Sequence, residues 1–125
     1  MADHTKGNPV KASGDTDASR LLADVAELVN DDRDSHGDAV ENQEHIADGW
    51  TWYLRGQGIL GDDETLSGAD VARMMTLLKH SRACVGDYDI DHDRDVAGYA
   101  GIAAACEVAA GNADSDDLEV AGDGE

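Results

Sequence analysis

Apolar residues recur with the spacing of an amphipathic helix in four separate stretches of the chain, and this pattern restricts the fold more than any other feature. In the first stretch they share one side of a helix: Leu21, Leu22, Val25, Leu28 and Val29. The four stretches predict helices over residues 17–30, 39–55, 68–84 and 92–110. No segment shows the two-residue alternation of β-branched side chains that predicts a strand. We therefore predict an all-α fold, a compact bundle of about four helices.

The two ends of the chain differ in composition from the part between them. Residues 1–16 are small and polar with little apolar content, and residues 111–125 carry six acids and no base. Segments of this kind cannot bury enough apolar surface to offset the entropy lost on ordering. We predict a disordered N-terminal tail (1–16), one all-α domain (17–110) and an acidic, disordered C-terminal tail (111–125).

Acidic residues dominate the charge of the chain: 28 Asp and Glu against 9 Lys and Arg give a net charge of −19. Self-repulsion of this size strains a fold in dilute buffer, whereas molar salt shortens the Debye length to about 3 Å. The excess of Asp and the scarcity of Lys predict a halophilic protein from a high-salt cytoplasm, or from a virus that infects such cells. The alternative is an acidic disordered chain, which the helical periodicity disfavours for the central residues.

Several partners and motifs are excluded by the same sequence. The net charge of −19 argues against direct binding to a nucleic-acid backbone, which requires cations. The long apolar runs of a membrane span or a secretory signal are missing from the sequence. Alternating acids from Asp87 to Asp95 do not form a calcium loop, because His92 replaces the required Gly and Gly98 replaces the required Glu. Cys84 and Cys106 are too few for a disulfide framework or a four-ligand zinc site, and we expect both to be ordinary apolar side chains.

Two pairs of carboxylates are candidate metal ligands. Glu41 and Glu44 lie three residues apart on the second predicted helix, and Asp91 and Asp95 lie four apart at the start of the fourth. Each pair therefore shares one helix face. Carboxylates that face each other across a bundle form divalent-metal sites, and oxygen ligands suit Mg²⁺, with Mn²⁺ as the alternative. The competing interpretation is solvated surface, since 28 acids produce such spacings by chance.

Lys79 is the only lysine in the predicted domain, and Arg82 follows three residues later on the same face. These two cations could hold a phosphate group or balance the carboxylates. They could equally form ion pairs at the end of a helix, where the helix dipole favours positive charge. The sequence leaves both interpretations open.

Two further pairs are candidate ligand contacts. Asp32 and Arg33 lie in the segment predicted to connect the first two helices, and they form either a substrate-contacting turn or a capped loop. Trp52 and Tyr53 point away from the side of Trp50, which we expect to be in the core. One of them could stack on a nucleotide base, although use in the core is the alternative.

Four groups of residues, in the same order, resemble a small all-helical domain of phages and prophages that is catalogued as a domain of unknown function. The residues concerned are Asp32, Arg33, Gly37, Glu41, Asn42, Ile46, Ala47, Trp50, Met74, Met75, Leu77, Leu78, Lys79, Arg82, Asp91, Asp95, Ala97, Gly98, Tyr99 and Ala100. The resemblance covers about residues 20–104. One departure is His36, where that family usually has a tyrosine.

That family is similar in layout to the MazG-like and dimeric-dUTPase-like nucleotide pyrophosphohydrolases. The resemblance implies cleavage of a nucleoside triphosphate to monophosphate and pyrophosphate, with Mg²⁺ on Glu41, Glu44, Asp91 and Asp95. It implies that Lys79 and Arg82 steady the triphosphate, and that the chain forms a homo-oligomer. Glu41 and Glu44 match the first family motif, but Asp91 and Asp95 replace the Glu and Asp of the second.

Two functions are therefore predicted, and the distance between the two carboxylate pairs distinguishes them. The first is a magnesium-dependent nucleotide pyrophosphohydrolase, and the second is a non-catalytic helical accessory or interaction protein. Convergence of the two carboxylate pairs on one point supports the enzyme. Separation by more than a helix diameter supports the interaction protein.

Overall fold

The computed structural model describes residues 15–36 and 38–118, and of residues 32–36 it describes the backbone alone. Four α-helices, α1 (Asp17–His36), α2 (Ala39–Gly56), α3 (Gly68–Ala83) and α4 (Ile90–Ala109), are followed by a short 3₁₀ helix (Ser115–Leu118). These ranges contain no strand, and the predicted all-α bundle is confirmed. In the same ranges no helix is both long and apolar enough to cross a lipid bilayer.

Side-chain caps fix where three of the helices begin. Ser67 and Asp70 form a capping box at α3, in which each side chain accepts the backbone N–H of the other residue, at 3.0 and 2.9 Å. Asp89 accepts the N–H of Asp91 at 2.9 Å, so α4 begins two residues earlier than the periodicity predicts. Asp38 accepts the N–H of Val40 in the same way at α2.

The end of α1 and the predicted C-terminal tail also differ from the prediction. Helix α1 continues from residue 30 to His36, because the polar run 31–36 contains neither Gly nor Pro to stop it. The 3₁₀ helix lies inside the predicted C-terminal tail, where the Asp114 side chain accepts the N–H of Asp116 at 3.0 Å. Polar composition alone therefore does not predict where a helix ends.

Helices α3 and α4 make the most extensive helix contact and run antiparallel. Two ion pairs join them at opposite ends, Arg73 with Glu107 at 3.0 Å and Lys79 with Asp95 at 3.1 Å. Because α4 is rich in Ala and Gly, its neighbours can approach closely. Helix α1 lies alongside α4, and α2 packs on α3.

The core of the described residues consists of small side chains. It contains Val25, Ala47, Ala69, Val71, Ala72, Ala103 and Cys106. No Leu, Ile, Met, Tyr or Trp between residues 15 and 118 is buried among the described side chains. Trp50, which we predicted to be in the core, is only half-buried. The larger apolar side chains therefore lie at the surface of this single chain.

Candidate functional site

A cleft of about 330 Å³ opens between α1, α2 and α4. Its apolar wall includes Val25, Leu28 and Ile102, and its polar wall includes Gln43 and Asp95. The remaining lining residues are Val29, Ala39, Asn42, Arg94, Gly98 and Tyr99. A cleft of this size and mixed lining is typical of small-molecule sites, which measure about 300–1,000 Å³.

Charged groups on the α4 side of the cleft are already paired within the chain. Asp95 binds Lys79 at 3.1 Å, and the side chain of Lys79 is only 19% exposed. Arg94 lies between two carboxylates, pairing with Asp24 at 3.5 Å and with Asp91 one helical turn before it. Among the described residues, the cations at this wall are therefore paired with carboxylates.

Gln43 is a polar residue of the cleft whose side chain lacks a hydrogen-bond partner among the described residues. It is 8% exposed and lines the cleft from α2. Within the described part of the chain its Oε1 is buried and accepts no hydrogen bond. Buried polar groups are nearly always paired, so this acceptor lacks a partner that such groups usually have.

The two predicted carboxylate pairs lie at different levels of the bundle. Glu44 lies beside Gly68 and Cys106, since its Cγ and the Cys106 Sγ are each 3.1 Å from the position of a Cβ on Gly68. The helical rise puts Asp95 about 16 Å and Asp91 about 22 Å from Cys106 along α4. Both separations exceed the diameter of a helix, so the structure does not bring Glu44 to the aspartates.

The described residues contain no group of three or more His, Cys, Asp or Glu side chains placed to hold a metal ion. Glu41, Glu44 and Asp91 are exposed, and Asp95 alone of the four lies on the cleft. The geometry gives the predicted Mg²⁺ or Mn²⁺ site no support.

The other predicted contact residues are dispersed. Arg82 is exposed in the last turn of α3. Trp52 and Tyr53 are 77% and 58% exposed at the C-terminal end of α2, outside the cleft. The side chains of Asp32 and Arg33 lie outside the described residues. Lys79 and Asp95 are therefore the two predicted site residues that the structure brings into contact.

A second surface feature is an apolar face formed by α2 and α3. Trp50, Tyr53 and Leu54 of α2 meet Met74 of α3 around a shallow hollow. Helix spacing extends this face by Ile46, one turn before Trp50, and by Leu77 and Leu78, one turn after Met74. We call these seven residues the α2–α3 face. Tyr53, Met74, Leu77 and Leu78 are 41–67% exposed.

The segments that carry most of this face lack acids. Residues 49–57 and 71–85 contain no Asp or Glu, although acids make up 28 of the 125 residues of the chain. The same segments contain Arg55, Arg73, Lys79 and Arg82, of which Arg73 and Lys79 are ion-paired with α4. The segments that carry the α2–α3 face thus combine apolar side chains with a local excess of positive charge on an acidic protein.

Cys106 and Glu107, near the C-terminal end of α4, both have shifted pKa values. Burial, followed by the charges of Glu44 and Glu107, raises the pKa of the Cys106 thiol. Hydrogen bonds from Asn112 and then from Arg73 lower the pKa of Glu107. Cys106 is therefore a protonated core side chain, as the sequence predicts for a small apolar residue.

Sequence reasoning missed Gln43 and Arg94 as cleft residues. Gln43 falls between Val40 and Ala47 on the side of α2 that faces the core, so a polar residue on an apolar stripe was an available signal. No comparable signal identifies Arg94, because its role depends on the approach of α1 to α4.

The chain was also compared with known proteins. The model of a family described as a domain of unknown function (DUF6378) matches residues 20–107. The "Gene 55 protein" of Mycobacterium phage L5 is 40% identical over 83 residues, which is 66% of this chain. The chain spans about half (49%) of the length of that relative. No solved structure matches.

Proposed function

The chain belongs to the DUF6378 family of domains of unknown function, and we propose that it is a non-catalytic helical interaction module. Its proposed binding surface is the α2–α3 face. The similarity to the "Gene 55 protein" of Mycobacterium phage L5 supports a role for such a module in a phage. The observation that carries this proposal is the partition of apolar residues: small side chains fill the core, and large ones remain outside it. Exposed apolar patches of this kind on soluble proteins mark interaction surfaces.

A second copy of the chain is the occupant we propose for the α2–α3 face. Two chains that each carry −19 repel one another wherever acids meet. The acid-free segments 49–57 and 71–85 allow two copies to pack without bringing carboxylates together. The same patch on both copies then forms a self-complementary contact about a twofold axis, the commonest symmetry of soluble oligomers.

Sedimentation velocity of the full chain in molar KCl tests this proposal. We expect the native protein to sediment as a dimer and Leu77→Glu to sediment as a monomer with unchanged helical circular dichroism. Leu77 is 67% exposed, so the substitution leaves the fold of the single chain intact. Leu22→Glu, at a leucine that is 57% exposed on α1, is the matched control and should remain dimeric.

Two outcomes contradict the proposal. The native protein could remain monomeric at every concentration, which means that another partner or none covers the face. Alternatively, Leu77→Glu could dimerise as well as Leu22→Glu does, which places the dimer contact elsewhere.

The second candidate is the magnesium-dependent nucleotide pyrophosphohydrolase. The observation in its favour is that Asp95, one of the predicted metal ligands, lines a cleft of the size of small-molecule sites. A panel of nucleoside triphosphates in molar KCl, with and without Mg²⁺ or Mn²⁺, tests it by pyrophosphate release. Activity that Glu41→Gln and Asp95→Asn abolish, and that the exposed control Asp62→Asn keeps, supports the enzyme. Absence of release from every nucleotide refutes it.

A further inference from the structure

We propose that two copies of the chain pair through an antiparallel contact between their α3 helices, in which Asp70 of each copy binds Arg82 of the other. This inference rests on the proposed dimer. It adds which helix lies at the centre of the contact, how the two copies are oriented, and which charges select a second copy of the chain as the partner.

Arg82 is the cation that the fold leaves unpaired among the described residues. The other Lys and Arg residues with described side chains bind acceptors within the chain: Arg20, Arg55, Arg73, Lys79 and Arg94. Arg82 is exposed in the last turn of α3, and no hydrogen bond or ion pair joins its side chain to another described residue. A planar guanidinium suits paired bonds to a carboxylate, so Arg82 can bind an acid of another molecule.

Asp70 is the only acid in α3 and lies at the opposite end of that helix. Its Oδ2 accepts the backbone N–H of Ser67 at 2.9 Å in the capping box, and its side chain is half-buried. A carboxylate has more acceptor positions on its two oxygens than this one bond uses. Asp70 can therefore keep the cap of α3 and also bind a cation from outside the chain.

These two charged residues are the ends of one ridge along α3. The ridge follows a spacing of four residues and consists of Asp70, Met74, Leu78 and Arg82. Met74 and Leu78 are 41% and 45% exposed, so its middle is apolar and accessible. The helical rise puts its charged ends about 18 Å apart, with Thr76 at the midpoint.

A twofold axis beside Thr76 makes this ridge complementary to a copy of itself. When two α3 helices run antiparallel across such an axis, each residue meets the one equally far beyond Thr76 on the second copy. Met74 then packs on Leu78 and Asp70 faces Arg82, and each contact occurs twice. Ridges spaced by four residues interdigitate in the commonest class of helix packing.

Charge selects the antiparallel orientation over the parallel one. A parallel twofold pairing of the same ridge places Asp70 against Asp70 and Arg82 against Arg82, and like charges across an interface oppose association. The antiparallel pairing replaces both repulsions by attractions. Because the acid and the base lie on one ridge, a second copy of the chain supplies both complementary charges at the required distance.

Two charge reversals and their mixture test the inference by sedimentation velocity. Arg82→Glu places acid against acid in both contacts and Asp70→Arg places base against base, so each should raise the dimer Kd about tenfold or more. Mixed in equal amounts, the two variants can form a heterodimer in which both contacts again join opposite charges. The Kd of this heterodimer should return to within about threefold of the native value. The full chain is measured at the lowest KCl concentration at which it is dimeric, because salt screens these contacts.

Arg20→Glu and Asp62→Arg are the matched controls. They make the same two changes of net charge at exposed sites outside the α2–α3 face. Each control variant alone, and their mixture, should dimerise as the native chain does. Helical circular dichroism of every variant checks that the single chain is folded.

A second pair of variants covers the loss of the capping box in Asp70→Arg. Should that chain fail to fold, Asp70→Asn removes the charge and keeps an oxygen that can accept the Ser67 N–H. It is combined with Arg82→Gln. If the two side chains are in contact across the dimer, the double variant should weaken the dimer no more than either single substitution does.

The outcomes separate this inference from the proposed dimer. A native chain that is monomeric at every concentration refutes the dimer and the contact within it. A dimer that Leu77→Glu disrupts, but that both charge reversals leave unchanged, supports the α2–α3 face and refutes the α3 pairing. Single variants that dimerise weakly and do not recover on mixing also refute it, because a direct contact between Asp70 and Arg82 requires that recovery.

Discussion

Lys79 Nζ lies 3.1 Å from Asp95 Oδ2, so the only lysine of the helical domain is bound to one of the four acids predicted to hold a metal. The pair joins α3 to α4 with the lysine side chain 19% exposed. Each group therefore has a binding partner within the protein and requires neither a phosphate nor a metal ion. This contact favours the ion-pair interpretation of Lys79 over the phosphate-binding one.

The first prediction concerns the strength of this ion pair. A double-mutant cycle with Lys79→Ala and Asp95→Ala should give a coupling energy of about 0.5–1 kcal/mol that declines as salt rises. Urea unfolding followed by circular dichroism measures it. The exposed pair of Arg20 and Asp17, 3.9 Å apart, is the control and should couple more weakly. Equal coupling in both pairs would show that Lys79 adds nothing through its partial burial.

The second prediction concerns Gly68, where α3 meets α2 and α4. A Cβ at this position would lie 3.1 Å from the Cys106 Sγ and 3.3 Å from the Gln43 Cβ. We expect Gly68→Ala to lower the free energy of unfolding by about 1–3 kcal/mol, because the site is already filled.

A second glycine provides the control for that measurement. Gly49 lies inside α2 with nothing within 4 Å of a Cβ, so Gly49→Ala should raise stability by about 0.5–1 kcal/mol. Thermal or urea unfolding compares the two variants. A Gly68→Ala chain as stable as Gly49→Ala would contradict the tight packing at this junction.

The third prediction concerns the two thiols. Cys84 is exposed, whereas Cys106 is 2% exposed and its pKa is raised by burial and by Glu44 and Glu107. In the Leu77→Glu chain at mildly alkaline pH, a thiol reagent should label one cysteine quickly and the second only after unfolding. Cys84→Ser should eliminate the fast phase. Rapid labelling of both cysteines would show that the Cys106 environment opens readily.

The fourth prediction concerns acid stability. The pKa of Glu107 is below its ordinary value of 4.5, because Asn112 and Arg73 bond the charged form. A carboxyl with a lowered folded-state pKa stabilises the fold above its ordinary pKa, and this contribution is lost as pH falls through the lowered value.

Comparison of two glutamine variants measures this effect. Glu107→Gln should reduce the loss of stability on acidification, whereas Glu27→Gln, at an exposed site on α1, should leave the native pH profile nearly unchanged. The midpoint of urea unfolding at a series of acidic pH values supplies the readout. Identical profiles for the two variants would contradict a role for the bonds at Glu107.

The fifth prediction concerns salt. Raising KCl from about 0.1 M to about 1 M shortens the Debye length from about 10 Å to about 3 Å. With a net charge of −19, the chain should unfold at a higher temperature in the stronger salt. Replacing Asp116 and Asp117 by Asn lowers the charge at an exposed segment and should reduce the gain. A melting temperature that is flat or falls with KCl would contradict a salt-adapted surface.

The helices could be predicted well because their signals are local. Ser67 and Asp70 form the cap of α3 within four residues of each other, and the periodicity of α2 reproduces its length within one residue. The end of α1 could not be predicted, since a polar run without Gly or Pro fits either a helix or a loop.

The candidate site could be predicted only in part, because spacing along a helix does not say which level of another helix lies opposite. Glu41 with Glu44, and Asp91 with Asp95, are good pairs within their own helices. The packing of α2 near the end of α4 that carries Cys106 separates the two pairs along the helix axis.

Local sequence by itself determined the helical class, the caps, the acidic surface and the closeness of packing that Ala and Gly permit, because each depends on residues within one or two turns. Only the tertiary structure decided that Lys79 binds Asp95, that Gln43 Oε1 is buried without a donor among the described residues, and that Leu77 and Leu78 remain exposed. These relationships depend on the rotation and relative height of separate helices. Many different arrangements of the same amphipathic segments satisfy the sequence pattern equally well.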